Sequence, residues 1–185
     1  MALAQLPKAS LSLDDKEREK IAPRLIGSAT HLVLEELDLA NISGDSIRGT
    51  IENLSGEGAI APSVAGKIDV AAIRKFFDSD LGRLAIENRQ QVLREWQFTF
   101  IPDSSDPAES SIVTGLVDMI IPTDDRLIII DFKTDSVSAD SAEQRAKGYA
   151  GQIGYYTAAA SAILGKKIAA SYLYFLKPSL AVKMA

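Results

Sequence analysis

The chain has 185 residues, 46% of them hydrophobic and 24% charged, with a net charge of −5 and no cysteine. This is the length of one globular domain with a sizeable core, and without thiols it excludes disulfides, zinc–thiolate sites and an iron–sulfur cluster, so any metal is held by oxygen or imidazole. The acidic balance argues against a broad electrostatic grip on nucleic acid, and with no apolar run of about 18 residues and no export signal in "MALAQLPKAS" the expected location is the cytoplasm, with no membrane attachment.

Residues 1–22 read as a lead-in to a core over 23–177, all within a single domain 1–185. In "PRLIGSATHLVLEELDLA", Leu25, Ala29, Leu32, Glu36 and Leu39 recur near helical spacing, with Pro23 tolerated in a first turn, which predicts a helix over about 23–40. His31 lies on its other stripe with Gly27 and Leu34. The Gly/Ser/Pro-rich stretch 53–67 reads as a loop, and short helices follow at 69–78 and 80–91, opened by the capping candidates Asp69 and Ser79.

The period then changes. "VLREWQFTFI" (92–101), "SIVTGLVDMII" (111–121) and "RLIIIDFKT" (126–134) are rich in β-branched and aromatic residues, separated by the polar stretch 102–111 and by "PTDDR". A long helix is expected from a Ser141 cap to about 164, with Tyr149, Gln152, Ile153, Tyr156, Ala160 and Ile163 on one face, before a last strand at 168–177.

The strand 126–134 is apolar on both faces, Leu127 and Ile129 on one and Ile128 and Ile130 on the other, so it belongs at the centre of a sheet. Asp131 and Lys133 then share a face near its C-terminal end. If Thr123–Arg126 form the hairpin loop, Pro122 pairs with Leu127 and Asp118 stands opposite Asp131, with Cβ atoms about 4.5–5.5 Å apart. Two carboxylates so placed repel unless a cation joins them, and in a chain without cysteine the fitting ion is Mg2+ or Mn2+. An ammonium beside such an ion suits hydrolysis of a phosphodiester.

These residues resemble a known pattern, that of the RecB-type, AddA-like branch of the PD-(D/E)XK nuclease superfamily. "GLVD" (115–118) resembles its G-x-x-D, "IIDFKTD" (129–135) its D-Y-K-T element, and "YAGQIGYY" (149–156) its helix with Q-x-x-x-Y. "IGSATHLVLEEL" (26–37) is similar to its early histidine helix and "LREWQF" (93–98) to its glutamate–aromatic strand. The resemblance implies an α/β, restriction-endonuclease-like fold with a central mixed β-sheet flanked by helices. It implies that His31, Asp118, Asp131 and the carbonyl of Phe132 hold Mg2+, with Mn2+ able to substitute, and that Lys133 is the catalytic lysine. Gln152 and Tyr156 would contact the substrate backbone with Tyr149 beside them, and Glu95 would stand behind the metal's own ligands.

The implied activity is a DNA nuclease, expected to be an exonuclease on single strands delivered by a helicase motor in cis or in trans, in double-strand-break repair and recombination. The chain has no G-x-x-x-x-G-K-[ST] loop, so it reads as a nuclease module separate from its motor, and D-F-K replaces the usual D-Y-K. Plainer readings stand beside each assignment: His31 as a packed or surface helix histidine, Glu95 as a strand-surface acid, Gln152 as a partner of a neighbouring loop, Tyr149 and Tyr156 as core, and Asp131 and Lys133 as a rim ion pair worth about 0–1 kcal/mol. At the level of function the alternatives are a domain of this fold that binds DNA or a partner without cutting, and a hydrolase of a small phosphate ester.

Overall fold

The structure, a computed structural model, describes residues 23–102 and 112–185; the lead-in over 1–22 and nearly all of the polar stretch 102–111 lie outside the described residues. Five helices come first: α1 (Pro23–Glu36), α2 (Gly44–Gly56), α3 (Pro62–Ala65), α4 (Val70–Asp78) and α5 (Asp80–Glu87). Strands β1 (Leu93–Phe100), β2 (Val113–Thr123) and β3 (Arg126–Lys133) form an antiparallel meander. Helices α6 (Ala139–Lys147) and α7 (Ala150–Leu164) then carry the chain back to β4 (Lys167–Phe175), parallel to β3, and β5 (Leu180–Lys183) closes antiparallel on β4.

The spatial order is β1-β2-β3-β4-β5, which puts β3 at the centre of a mixed sheet. Its two apolar faces have separate partners. Ile130 and Phe132 pack with Met119 and Ile121 against the helices α1–α5, whereas Leu127 and Ile129 pack with Ile120, Leu173 and Phe175 against α6 and α7. Parallel neighbours need a crossover, and here the crossover helices supply the second cover of the sheet.

The structure departs from the sequence reading in several places. A helix, α2, occupies 44–56, where periodicity predicts no element, and α2 and α3 together take up half of the expected loop 53–67. Its residues are poor helix formers, but Ile47, Ile51 and Leu54 fall at i, i+4 and i+7 and are buried, and Ser43 and Ser46 form a reciprocal capping box. The residues that α1 buries are Gly27, Ala29, Thr30, Val33 and Leu34; of the predicted stripe Ala29 faces the core, while Leu25 is 55% exposed. α1 ends at Glu36 and α5 at Glu87, both short of the predicted ends.

The long helix 141–164 is two helices: Ser138 is the cap, Ser141 its reciprocal partner three residues on, and the chain breaks at Gly148–Tyr149. Ile163, expected on the inner face, is exposed. Lastly, β5 extends the sheet beyond the predicted end of the core at 177. Asp69 and Ser79 do cap α4 and α5, accepting from the amides of Ala72 and Gly82.

Candidate active site

The hairpin closes on Asp124 and Asp125, one residue tighter at each end than the predicted loop, with Pro122 opposite Leu127 as expected. The β2–β3 ladder ends at Met119–Ile130, one step before Asp118 and Asp131. In place of a further backbone bond, the Phe132 amide donates to Asp118 Oδ2 at 2.6 Å. The β1–β2 ladder is interrupted at the same level: Arg94 pairs with Met119 and Trp96 with Val117, and Glu95 between them has φ 46. A glutamate in this left-handed region is strained by about 1–3 kcal/mol, as at many functional sites.

The interruption also turns the strands over. Val117 packs on the α7 side and Met119 on the α1 side, although residues two apart on a regular strand share a face. The sheet is therefore open at Glu95, Asp118 and Asp131, and side chains from both helical layers converge on the opening.

From one side, α1 brings His31. Two contacts hold this helix against the sheet: Arg94 donates to the carbonyls of Leu34 and Leu37, at 3.2 and 2.6 Å, at the end of α1, and Gly27 lets Thr134 approach so closely that a Cβ there would lie 2.9 Å from its Oγ1. His31 Nδ1 then stands 3.2 Å from Asp118 Oδ1 and 3.7 Å from Glu95 Oε1. Burial alone would lower the histidine's pKa, but the two carboxylates outweigh it and lift it from 6.5 to about 10. Glu35, one turn beyond His31, joins the same acidic pocket of about 460 Å³, and its carboxyl is held above the usual range by burial and by Glu95.

On the other side lies Asp131, only 2% exposed. Its Oδ2 is 2.7 Å from Lys133 Nζ, an ion pair without hydrogen-bond angles, and has no hydrogen-bond partner. Burial first, and then repulsion from Asp118, raise its pKa from 3.8 to about 6 against the pull of Lys133 and His31.

Lys133 Nζ donates to Gln152 Oε1 at 3.3 Å and lies 4.0 Å from the centroid of the Tyr149 ring. Gln152 in turn donates to the Tyr156 hydroxyl at 2.6 Å. The Tyr149 ring is itself fixed: its hydroxyl donates to Asp135 Oδ2 at 3.0 Å and accepts from Arg145, whose Nε also donates to Asp135 at 2.8 Å. The break between α6 and α7 is what points Tyr149 at the lysine, since it ends one helix and opens the next at that residue.

His31, Asp118, Asp131, Lys133, Tyr149, Gln152 and Tyr156 come together here, Tyr156 as a buried core residue beside Phe98. Glu95 differs in rank: expected behind the metal's ligands, it stands level with His31 and Asp118, one donor atom from each lying within 4.8 Å of the others. Ligands bonded to one ion at about 2.1 Å keep about 3–4 Å between them, so small side-chain rotations suffice. One imidazole and a set of hard carboxylate oxygens, with Asp131 Oδ2 beside them held by Lys133 alone, fit Mg2+ or Mn2+. The Phe132 amide donates to Asp118 at the site, while its ring packs edge-on against Phe76 in the core. Sequence reasoning missed Glu35 and Arg145, which helical spacing of four from His31 and from Tyr149 would have found, and Asp135 as a support of Tyr149, for which no local signal exists.

A five-stranded mixed sheet with this acidic cluster and lysine on its central strands has the restriction-endonuclease-like fold and defines a nuclease module. The chain belongs to the PD-(D/E)XK nuclease superfamily, whose profile matches residues 4–183. It is 29% identical over 177 residues to an ATP-dependent helicase/nuclease subunit of Pelotomaculum thermopropionicum, covering 91% of this chain and 14% of that protein. The subunits of the same name from Lacticaseibacillus casei and Pediococcus pentosaceus are 33% and 34% identical, over 89% and 82% of this chain and 14% and 13% of theirs. The chain thus spans about a seventh of the length of these relatives. Among the described residues no helix is long and apolar enough to cross a membrane.

Proposed function

We propose that the chain is a divalent-metal-dependent deoxyribonuclease that hydrolyses phosphodiester bonds in single strands supplied by a helicase motor. The observation that carries this is the meeting, at one opening of the sheet, of three acids and a histidine with a lysine aimed into the same space. A domain that merely bound DNA would gain nothing from a buried Asp131 and a half-buried Asp118 that repel each other.

His31, Glu95, Asp118 and Asp131, with the Phe132 carbonyl, would hold Mg2+ or, in its place, Mn2+. Such an ion polarises a phosphoryl oxygen and lowers the pKa of a bound water. Asp118 is pre-set for ligation by the Phe132 amide, which fixes one oxygen and leaves the other facing His31. Lys133 offers its ammonium to the charge that builds on the phosphate in the transition state. Gln152 and the Tyr149 ring keep that ammonium from lying wholly along Asp131, and Tyr156 presents the far end of the same chain of contacts to the substrate backbone.

Relatives named as helicase/nuclease subunits, of which this chain matches only a part, support a motor as the partner. A net charge of −5 agrees with weak binding to free DNA. The test is to incubate the chain with end-labelled single-stranded and blunt duplex DNA in Mg2+, Mn2+ or chelator. We expect slow, salt-sensitive cutting of single strands with metal only, faster with a translocase fused to the chain, and slower by about 10²–10³ in Lys133→Ala. Cutting in chelator, or equal activity of Lys133→Ala, would remove the mechanism.

A further inference from the structure

Beside the acidic pocket lies a second, larger cleft of about 650 Å³, and the two share Arg24 and Thr134 as a common wall. Resting on the nuclease reading above, we infer that this cleft seats one nucleotide of the single strand, next to the phosphate being cut. Its wall is apolar, formed by Ile26, Val137 and Leu176, and its rim carries Arg24, Lys67 and Lys177. These three cations come from separate elements: the start of α1, the α3–α4 connection and the turn after β4.

Most described lysines lack a carboxylate partner, so what sets this rim apart is that three cations from separate elements meet at one cleft. On much of the surface arginines are paired with a near aspartate, as in Arg48–Asp45, Arg74–Asp78, Arg83–Asp80 and Arg126–Asp125. At the cleft, Arg24, Lys67 and Lys177 have no carboxylate partner among the described residues, and Lys177 hydrogen-bonds only to the neutral Ser136 hydroxyl. The carboxylates nearby are already engaged, Asp135 by Arg145 and Tyr149, and Asp69 as the cap of α4. An acidic chain has thus gathered three cations, unpaired among the described residues, at the mouth of an apolar cleft adjoining its acidic site.

The volume falls within the range of about 300–1,000 Å³ typical of small-molecule sites, and an apolar wall with a cationic rim matches a base and its phosphates. A base can enter only after leaving its partner strand. The cleft therefore supplies a physical basis for single-strand preference that the acidic pocket alone lacks.

The test is fluorescence anisotropy of a labelled oligothymidylate in chelator, so that nothing is cut, across a salt series. Lys67→Ala/Lys177→Ala is compared with Lys166→Ala/Lys167→Ala, which removes the same charge at the opposite end of β4. Thermal melts confirm that both remain folded. Two lost phosphate contacts reduce the slope of log K against log salt by about 1.4, at about 0.7 per contact on single strands. We expect that change in the cleft variant, less than half of it in the control, and weaker binding of an abasic oligomer to the native chain. Equal effects of the two variants, or no loss in the cleft variant, would overturn the inference. Because the assay reads no catalysis, a chain that binds as expected but never cuts sinks only the catalytic reading, and one that cuts normally with both cleft lysines removed sinks only the cleft.

Discussion

Replacing Asp131 by asparagine probes the central tension of the site, because the change removes a buried charge and leaves the shape alone. In the folded chain the Asp131 carboxyl is lifted from 3.8 to about 6, by burial and by Asp118. A folded pKa above the unfolded one means that the protonated form is the better tolerated. The associated stability is present in full below pH 3.8 and is lost as the pH rises through about 6. At about 1.4 kcal/mol per pH unit, that loss amounts to about 3 kcal/mol above pH 7, an upper figure because the carboxylates can relax apart.

The asparagine side chain has no charge to lose. Urea unfolding in chelator should therefore find Asp131→Asn and the native chain nearly equal near pH 4, with the variant gaining about 1–3 kcal/mol by pH 8. Saturating Mn2+ should reverse the order, because only the native chain then binds the ion tightly and gains RT ln(1 + [L]/Kd). A variant less stable than the native chain at pH 8 in chelator, or a gap that ignores pH, would refute the idea that Asp131 is held against its own repulsion.

Calorimetric titration of Mn2+ in buffers of different ionisation enthalpy at pH 7.5 should show about one proton released per ion, because His31 is protonated up to about pH 10 and must give up that proton to ligate; in His31→Asn the release should vanish. Glu95→Gln should weaken Mn2+ binding as much as Asp118→Asn, whereas Lys133→Ala should keep affinity within about threefold and lose about 10²–10³ in turnover. The reverse ranking of Glu95 and Lys133 in those titrations would return Glu95 to a supporting place. Gly115→Ala should cost about 1–3 kcal/mol in urea unfolding, since its Cβ would lie 2.5 Å from the Phe98 ring and 3.2 Å from Tyr156; an unchanged midpoint would show that the aromatic pair can part freely.

Much of this site is legible in the chain because its determinants are local or nearly so. The doubly apolar run of β3, the two-residue spacing of Asp131 and Lys133, and the short hairpin that brings Asp118 level with Asp131, one step past the last ladder pair, follow from strand periodicity and register. Position on a strand fixes which side chains share a face, and turn length fixes which residues stand opposite. The motif resemblance places His31, Gln152, Tyr149 and Tyr156 in the same region, and the structure brings them there.

What only the tertiary structure decided comes from packing and from interruptions of regular structure. Gly, Ser and Asn speak against a helix over 44–56, and α2 forms because Ile47, Ile51 and Leu54 are buried by neighbours that no local window contains. Glu95 carries no sign in the sequence that its backbone will adopt a positive φ; the opening of two ladders at one level, with the two faces exchanging sides, makes it a neighbour of His31. The break at Gly148–Tyr149 turns an apparently continuous helix into a lever that sets Tyr149 under Lys133, held by an Asp135–Arg145 pair ten residues apart. Periodicity names the residues of each face, but burial and strand irregularity, which depend on the whole chain at once, decide which of those faces meet.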